Sequence, residues 1–269
     1  MGERIGVIAG AGNFPLLALL AAKKEGFSCI VAGLRGEARI DIGEGAEAFD
    51  WFSTAELGRL TAFFKERGVR RVLLAGKIDP RTVFALEAPD AALRSLLSKV
   101  PDRTPSGLIG ALIEYLAGQG LTVIDPEVWL APHFCPPGVL TGTAPPAGVL
   151  ADIEFGWTRA RRLADEDIGQ TLAVKERAVI AVEGLEGTDE AIKRAGRLAG
   201  PGLVVLKVAR TRQDMRIDVP AVGAETLRSL IRVGAAALCF EAGRVAFFER
   251  EESLALAEAN HIAVLARQA

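Results

Sequence analysis

Ile5-Gly6-Val7-Ile8-Ala9-Gly10-Ala11-Gly12-Asn13-Phe14-Pro15 is the stretch that decides the fold class. The run from Arg4 to Ala9 is short, apolar and rich in Ile and Val, and it runs into glycine. That is the pattern of a strand covered on both faces in a parallel sheet. Gly10 and Gly12 make a tight turn, and Pro15 suits the first turn of a helix that continues to Lys24. Working outward, Ser28 to Leu34 predicts a second strand. Ala55 to Gly68 predicts a helix with Leu57, Leu60, Phe63 and Phe64 on one face. Val69 to Gly76 is a strand, Leu108 to Gly118 a helix and Leu121 to Ile124 a strand. This alternation predicts a Rossmann-like parallel sheet over residues 1–131.

The rhythm breaks where Pro132, Pro136, Pro137, Pro145 and Pro146 fall among Gly138, Gly142 and Gly148. Residues 132–150 are therefore expected to be an ordered connector. Beyond it, Asp152 to Asp165 predicts a helix and Ala178 to Glu183 a strand. Thr188 to Ala199 is a helix, Leu203 to Ala209 a strand and Glu225 to Val233 a helix. Ala236 to Phe240 and Val245 to Phe248 predict a strand pair around the turn Glu241-Ala242-Gly243-Arg244. Ser253 to Ala259 is a helix and Ile262 to Leu265 the last strand. The expected fold is thus α/β with two α/β domains, the second covering 151–269.

The 269 residues can form two ordinary domains, and half of them are hydrophobic, enough for real cores. Lys and Arg number 32 against 34 Asp and Glu, a formal net charge of −2, which argues against a nucleic-acid binder. Cys29, Cys135 and Cys239 are far apart and form no CxxC pair, so neither a disulfide frame nor a zinc ribbon is indicated and a reducing cytoplasm fits best. The opening does not read as a signal peptide, and no apolar stretch has the length of a membrane span.

Four places offer chemistry. Backbone N–H groups at the Gly10-Ala11-Gly12 turn, beside a helix N-terminus, suit a phosphate; the alternative is a tight turn that binds nothing. The third glycine of the dinucleotide pattern is missing, and no acidic residue ends the second strand, which disfavours NAD. Gly76-Lys77-Ile78-Asp79-Pro80-Arg81 follows a strand, where Lys77 could face phosphate and Asp79 a metal or a ring hydroxyl, or all could be a solvated loop. Glu183-Gly184-Leu185-Glu186-Gly187-Thr188-Asp189 closes a strand and opens a helix. Thr188 is expected as an N-cap and Asp189 as a first-turn acid, while clustered carboxylates suit Mg²⁺. Lys207, Arg210, Arg212, Asp214, Arg216 and Asp218 end or follow another strand; they could meet a pyrophosphate or pair with one another. His133 and His261 stand alone, and there is no GxSxG, Walker A or HExxH motif, so a hydrolase here would rely on metal and carboxylates.

GVIAGAGNFP, LAGKIDP, DIGQ at 167–170, AVEGLEGTDEAI from Ala181, and MRIDVPAVG followed by GRVAFFERE resemble, in order and over nearly the whole chain, the LpxI family of UDP-2,3-diacylglucosamine pyrophosphatases. EGTDE and the RxDxPxxG run are the specific parts. The resemblance implies a cytoplasmic, Mg²⁺-dependent enzyme at the inner face of the inner membrane of Gram-negative bacteria. Such an enzyme splits UDP-2,3-diacylglucosamine into UMP and 2,3-diacylglucosamine 1-phosphate (lipid X), with attack at the phosphorus nearer the sugar. It implies two domains that hold the lipid between them. It places the essential aspartate at Asp218, and it carries over Glu186, Thr188 and Asp189 from EGTD and Gly10, Gly12 and Asn13 from the opening turn. Relatives often carry acidic residues where Thr104-Pro105-Ser106 stands here.

The expected site is therefore Asp218 as the catalytic residue, Asp218 and Asp189 on Mg²⁺, and Gly10, Gly12, Asn13, Lys77, Asp79, Glu186, Gly187, Thr188, Lys207 and Arg210 on substrate. The substrate is a lipid-linked UDP-sugar. Inner-membrane surface contact, a homodimer and no nucleic-acid partner complete the expectation. A non-catalytic nucleotide-sugar or lipid-binding regulator is the rival reading.

Overall fold

A computed structural model describes residues 2–78, 88–100, 104–142, 144–216 and 218–269. The chain divides into two compact units, Met1–Trp129 with Met215–Asp218, and Leu130–Asp214 with Val219–Ala269.

In the first unit the described strands are β1 (Arg4–Ala9), β2 (Ser28–Leu34), β3 (Ala48–Phe52), β4 (Arg71–Ala75) and β5 (Thr122–Val123). They form one sheet in the order β3-β2-β1-β4-β5, and every pairing is parallel. The Ile/Val run of β1 is buried from Ile5 to Ala9, as a central strand requires. Helix α1 (Phe14–Lys24) follows the glycine turn, and α2 (Leu57–Glu66) buries the predicted face of Leu57, Leu60, Phe63 and Phe64. Helix α3 (Ala91–Leu97) is capped by Asp90, whose two carboxylate oxygens accept from Leu93 N (2.8 Å) and Gly58 N (2.6 Å), tying the start of α3 to that of α2. Thr104 caps α4 (Pro105–Gly118) by accepting from Gly107 N at 3.1 Å. The Thr104-Pro105-Ser106 departure thus has a local role as a helix start. Helix α5 (Glu127–Leu130) closes this half of the chain.

The second unit holds β6 (Gly138–Val139), α6 (Ala147–Asp165), β7 (Thr171–Lys175), β8 (Ala178–Val182), α7 (Thr188–Ala199), β9 (Val204–Lys207), β10 (Ala221–Val222), α8 (Ala224–Arg232), β11 (Ala237–Glu241), β12 (Ala246–Phe247), α9 (Arg250–Ala259) and β13 (Ala263–Arg267). The expected connector 132–150 contributes β6, which joins the sheet edge beside β13, and the first turn of α6. The main sheet runs β6-β13-β11-β9-β7-β8. Side chains of β9 alternate between two cores. Val204 and Leu206 pack with Ile153 and Trp157 of α6, and Val205 packs with Ile192 of α7 and Leu227 of α8. All three β9 residues are fully buried, each contributing about 1.5–3 kcal/mol.

The expected pair of Ala236–Phe240 with Val245–Phe248 does not form. Both edges of β11 are taken in parallel by β9 and β13, so no edge remains for the segment after the turn. β12 instead pairs in parallel with β10, with Ala246 N and Phe248 N donating to Pro220 O and Val222 O. The hairpin that does exist, β7–β8, turns at Glu176 and Arg177, both at positive φ. Buried Asp152 on α6 accepts from both of their amides, at 2.9 and 2.6 Å, and holds that turn.

Candidate active site

In the second unit β8, β9, β11 and β13 run in one direction and β7 runs against them. The carboxyl ends of β8, β9 and β11 therefore lie at the same sheet end as the start of β7. That is where ligands bind in open α/β sheets. There the chain places Glu183, Lys207, Glu241 and Thr171.

Lys207 is only 5% exposed. A buried ammonium persists where partners replace its water. Its Nζ donates to Thr188 Oγ1 at 2.6 Å and lies 3.4 Å from Glu183 Oε2. Thr188 donates its one proton to Glu183 Oε1 at 2.8 Å, so it accepts from Lys207, and Thr171 Oγ1 completes the cluster at 3.3 Å. Gln170 N donates to Glu183 Oε2 at 3.2 Å. These bonds correct the N-cap expectation for Thr188. The cap position is Gly187, at φ +81°, and the Thr188 hydroxyl makes no cap bond because it is committed to Lys207 and Glu183.

Asp189 follows in the first turn of α7. Its Oδ1 is buried and has no hydrogen-bond partner among the described residues. Such an oxygen is costly unless a cation or donor reaches it. Among the described residues no group of three or more His, Cys, Asp or Glu stands together as a metal cage. Mg²⁺ does not need one: it keeps waters and takes one or two carboxylates plus substrate phosphates, and Asp189 fits that donor set. Glu186 points to other work. It is exposed, it pairs with Arg194 at 2.5 Å and it accepts from Gly184 N at 3.1 Å. Burial pushes its carboxyl up, but Arg194 and the backbone amides outweigh this and hold it below its ordinary value.

Arg210, at the start of the segment after β9, donates to Asp167 Oδ1 at 2.7 Å and to Gln213 Oε1. Asp218, later in the same segment, is half-buried and falls within the first unit.

The first unit has its own carboxyl-end cluster. Strand order reverses between β1 and β4, the switch point at which such sheets bind ligands. Gly10 N donates to Ala75 O (2.8 Å), Ala11 N to Lys77 O (2.7 Å) and Lys77 N to Ala11 O (3.0 Å). The Gly10 and Ala11 amides are thus committed to the loop after β4. A Cβ on Gly10 would strike the Lys77 carbonyl, and one on Gly76 would stand 2.5 Å from Ala11 O. The two glycines let the two turns interlock. Gly12, at φ +92°, borders open space. Asn13 Oδ1 accepts from Arg39 Nη1 at 2.9 Å, and Arg39 is itself gripped by both oxygens of Asp41. The side chain of Lys77 is exposed. Asp79, with Pro80 and Arg81, lies outside the described residues.

Both halves of the chain match known domains: residues 4–132 the LpxI N-terminal domain and residues 136–265 the LpxI C-terminal domain. The chain belongs to the LpxI family. The UDP-2,3-diacylglucosamine pyrophosphatase LpxI of Caulobacter vibrioides (strain ATCC 19089 / CIP 103742 / CB 15) is 28% identical to it, over 95% of this chain and 94% of that one. Among solved structures, a partial-consensus L-threonine 3-dehydrogenase (E-change) matches at 14% identity and TM-score 0.30 over 95% of this chain and 88% of that one. A GalE-like L-threonine dehydrogenase from Cupriavidus necator (holo form) matches at 12% and 0.30, over 95% and 89%. At that score the likeness bears on neither architecture nor chemistry. Within this LpxI-family chain, Thr171 and Glu241 carry no sequence signal of their own. Only the strand directions bring them to the end of the sheet that holds Lys207.

Proposed function

We propose that this LpxI-family chain hydrolyses the pyrophosphate of UDP-2,3-diacylglucosamine to UMP and 2,3-diacylglucosamine 1-phosphate (lipid X), a step in making lipid A. The observation that carries the reading is the buried Lys207–Thr188 bond beside the unpartnered oxygen of Asp189. A cation and a hard anionic donor lie at one sheet end, in a chain similar to a named UDP-2,3-diacylglucosamine pyrophosphatase. Mg²⁺ is the proposed cofactor, held by Asp189 and Asp218, and when bound it supplies charge neutralisation on the pyrophosphate. Lys207, kept in place by Thr188 and Glu183, faces the equatorial oxygens of the phosphorus under attack. Arg210 exchanges Asp167 for a phosphate oxygen. Gly12, Asn13 and Lys77, with Asp79, serve the nucleotide–phosphate side of the substrate. Water adds to the phosphorus nearer the sugar, and the oxygen bridging to UMP leaves with UMP.

In this reading the protein works in the cytoplasm, touches the inner-membrane surface to reach its lipid, and can pair as a homodimer. No described helix is long and apolar enough to cross a membrane. The test is incubation of purified protein with UDP-2,3-diacylglucosamine in Mg²⁺ and in EDTA, with Asp218→Ala alongside. Mg²⁺-dependent release of UMP and lipid X, lost in the variant, supports the proposal. No release under any metal leaves a binding regulator as the better account.

A further inference from the structure

The segment Val208–Thr211 leaves β9 with each of its four amides bonded to a different residue. Val208 N donates to Gln170 O at 3.0 Å, Ala209 N to Glu241 Oε2 at 2.9 Å, Arg210 N to Gln213 Oε1 at 3.1 Å and Thr211 N to Asp165 Oδ1 at 2.6 Å. Three of its carbonyls are taken by guanidiniums. Arg161 donates to Ala209 O, and Arg244 Nη2 donates to Arg210 O at 2.7 Å and to Thr211 O at 3.2 Å. Glu241, at the end of β11 and fully buried, is the hub. Its Oε1 lies 2.6 Å from Arg161 Nη2, an ion pair without hydrogen-bond alignment, and 3.6 Å from Arg244 Nη1. One carboxylate thus anchors two guanidiniums, and together they bind the backbone of Ala209, Arg210 and Thr211. Surface loops rarely have this degree of satisfaction; segments that must hold a fixed geometry do.

We infer that Arg244, anchored by Glu241, is a positioning residue that fixes the backbone of Arg210, and so sets where the Arg210 guanidinium meets the substrate. The inference rests on the proposed pyrophosphatase reading for its kinetic arm only. Glu241 is a poor first target, because removing it takes the shared carboxylate from both Arg161 and Arg244 and the acceptor from Ala209 N. Arg244 is 31% exposed and can be truncated more safely.

The experiment compares wild type, Arg244→Ala, Arg210→Ala and the double variant. It reads kcat/KM on UDP-2,3-diacylglucosamine, and amide hydrogen exchange over 208–211. Small displacements of a positioned group lose about tenfold to a hundredfold in rate, and Arg244→Ala should show a loss in that range. Exchange should accelerate over 208–211 while the strands of the second unit keep their protection. Added to Arg210→Ala, Arg244→Ala should cost less than about a further twofold, because both act through one side chain. Arg244→Lys, able to reach one carbonyl, should recover part of the rate. Multiplicative losses in the double variant, or unchanged exchange over 208–211, overturn the inference. If wild-type protein turns over nothing, the pyrophosphatase reading falls, and the exchange comparison still decides whether Arg244 orders the segment.

Discussion

Lys207 Nζ and Thr188 Oγ1 lie 2.6 Å apart, joining the last residue of β9 to the first residue of α7. A hydrogen bond to a charged group contributes about 1.5–3 kcal/mol, and here the donor is buried. Thr188→Val keeps the shape and removes the acceptor. Its urea midpoint should fall by an amount equivalent to about 2 kcal/mol, and Thr188→Ser should recover most of that. An unchanged midpoint in Thr188→Val would show that Glu183 alone satisfies Lys207 and that the threonine bond adds nothing.

Asp189→Asn separates the unpartnered oxygen from its charge. The side chain remains polar and the same size, and the buried negative charge disappears. Stability should change by less than about 1 kcal/mol, because relief of the unpartnered buried oxygen offsets the lost first-turn interaction with the helix dipole. The Mg²⁺ concentration giving half-maximal rate should rise about tenfold, the equivalent of about 1.4 kcal/mol of binding. A Mg²⁺ titration with the same midpoint as wild type would remove Asp189 from the metal's donors.

The glycines of the opening turn should separate by role. Gly10→Ala drives a methyl into the Lys77 carbonyl, backbone against backbone, and should lose about 3 kcal/mol or fail to fold. Gly12→Ala meets no atom and bears only its positive φ, for about 1 kcal/mol. Because Gly12→Ala keeps its fold, its KM reports directly on whether that turn touches substrate. Equal destabilisation of the two variants, measured by thermal melting, would contradict the interlock.

The three thiols should be silent in the native protein. Burial pushes Cys239 up to about 12 and Cys29 to about 11, and it raises Cys135 as well. A raised thiol pKa leaves the neutral form dominant at pH 8, and only the thiolate is alkylated. Unfolding returns each group to about 8.5, where a sizeable fraction is thiolate. Iodoacetamide at pH 8 should therefore label all three in urea and almost none without it. Rapid native labelling, resolved by peptide mass, would show that the packing around that cysteine opens.

Elements whose own residues dictate them were legible in the sequence. The Ile/Val run of β1, the apolar face of α2, and α7 from Thr188 to Ala199 all follow from local composition and period. The elements that were not legible depend on distant partners. β3 (Ala48–Phe52) carries Asp50 in its middle and pairs on one side only, with β2, so no apolar run announces it. β7 ends in a turn of Glu176 and Arg177 at positive φ, which neither residue favours, and the buried Asp152 that stabilises it stands more than twenty positions earlier. The strand pair expected around Glu241 to Arg244 was excluded by neighbours already occupying both edges of β11. Site residues divide in the same way. Thr188, Asp189 and Lys207 stand in motifs, whereas Glu241 passes for a turn residue until Arg161, eighty positions away, is brought against it.

The central place of β9 has a consequence for how the chain is made. Of the main-sheet strands synthesised before it, β7 and β8 lie on one side and the short edge strand β6 on the other, beyond β11 and β13, which are made after it. Until Ala237–Glu241 has followed them out of the ribosome, the edge of Val204, Val205 and Leu206 that faces away from β7 stays bare. An apolar, unpaired edge is a template for association with other chains. Slow translation through that interval, or truncation before Ala237, should therefore yield aggregates, and the yield of soluble protein will depend on how quickly β11 arrives to close the seam.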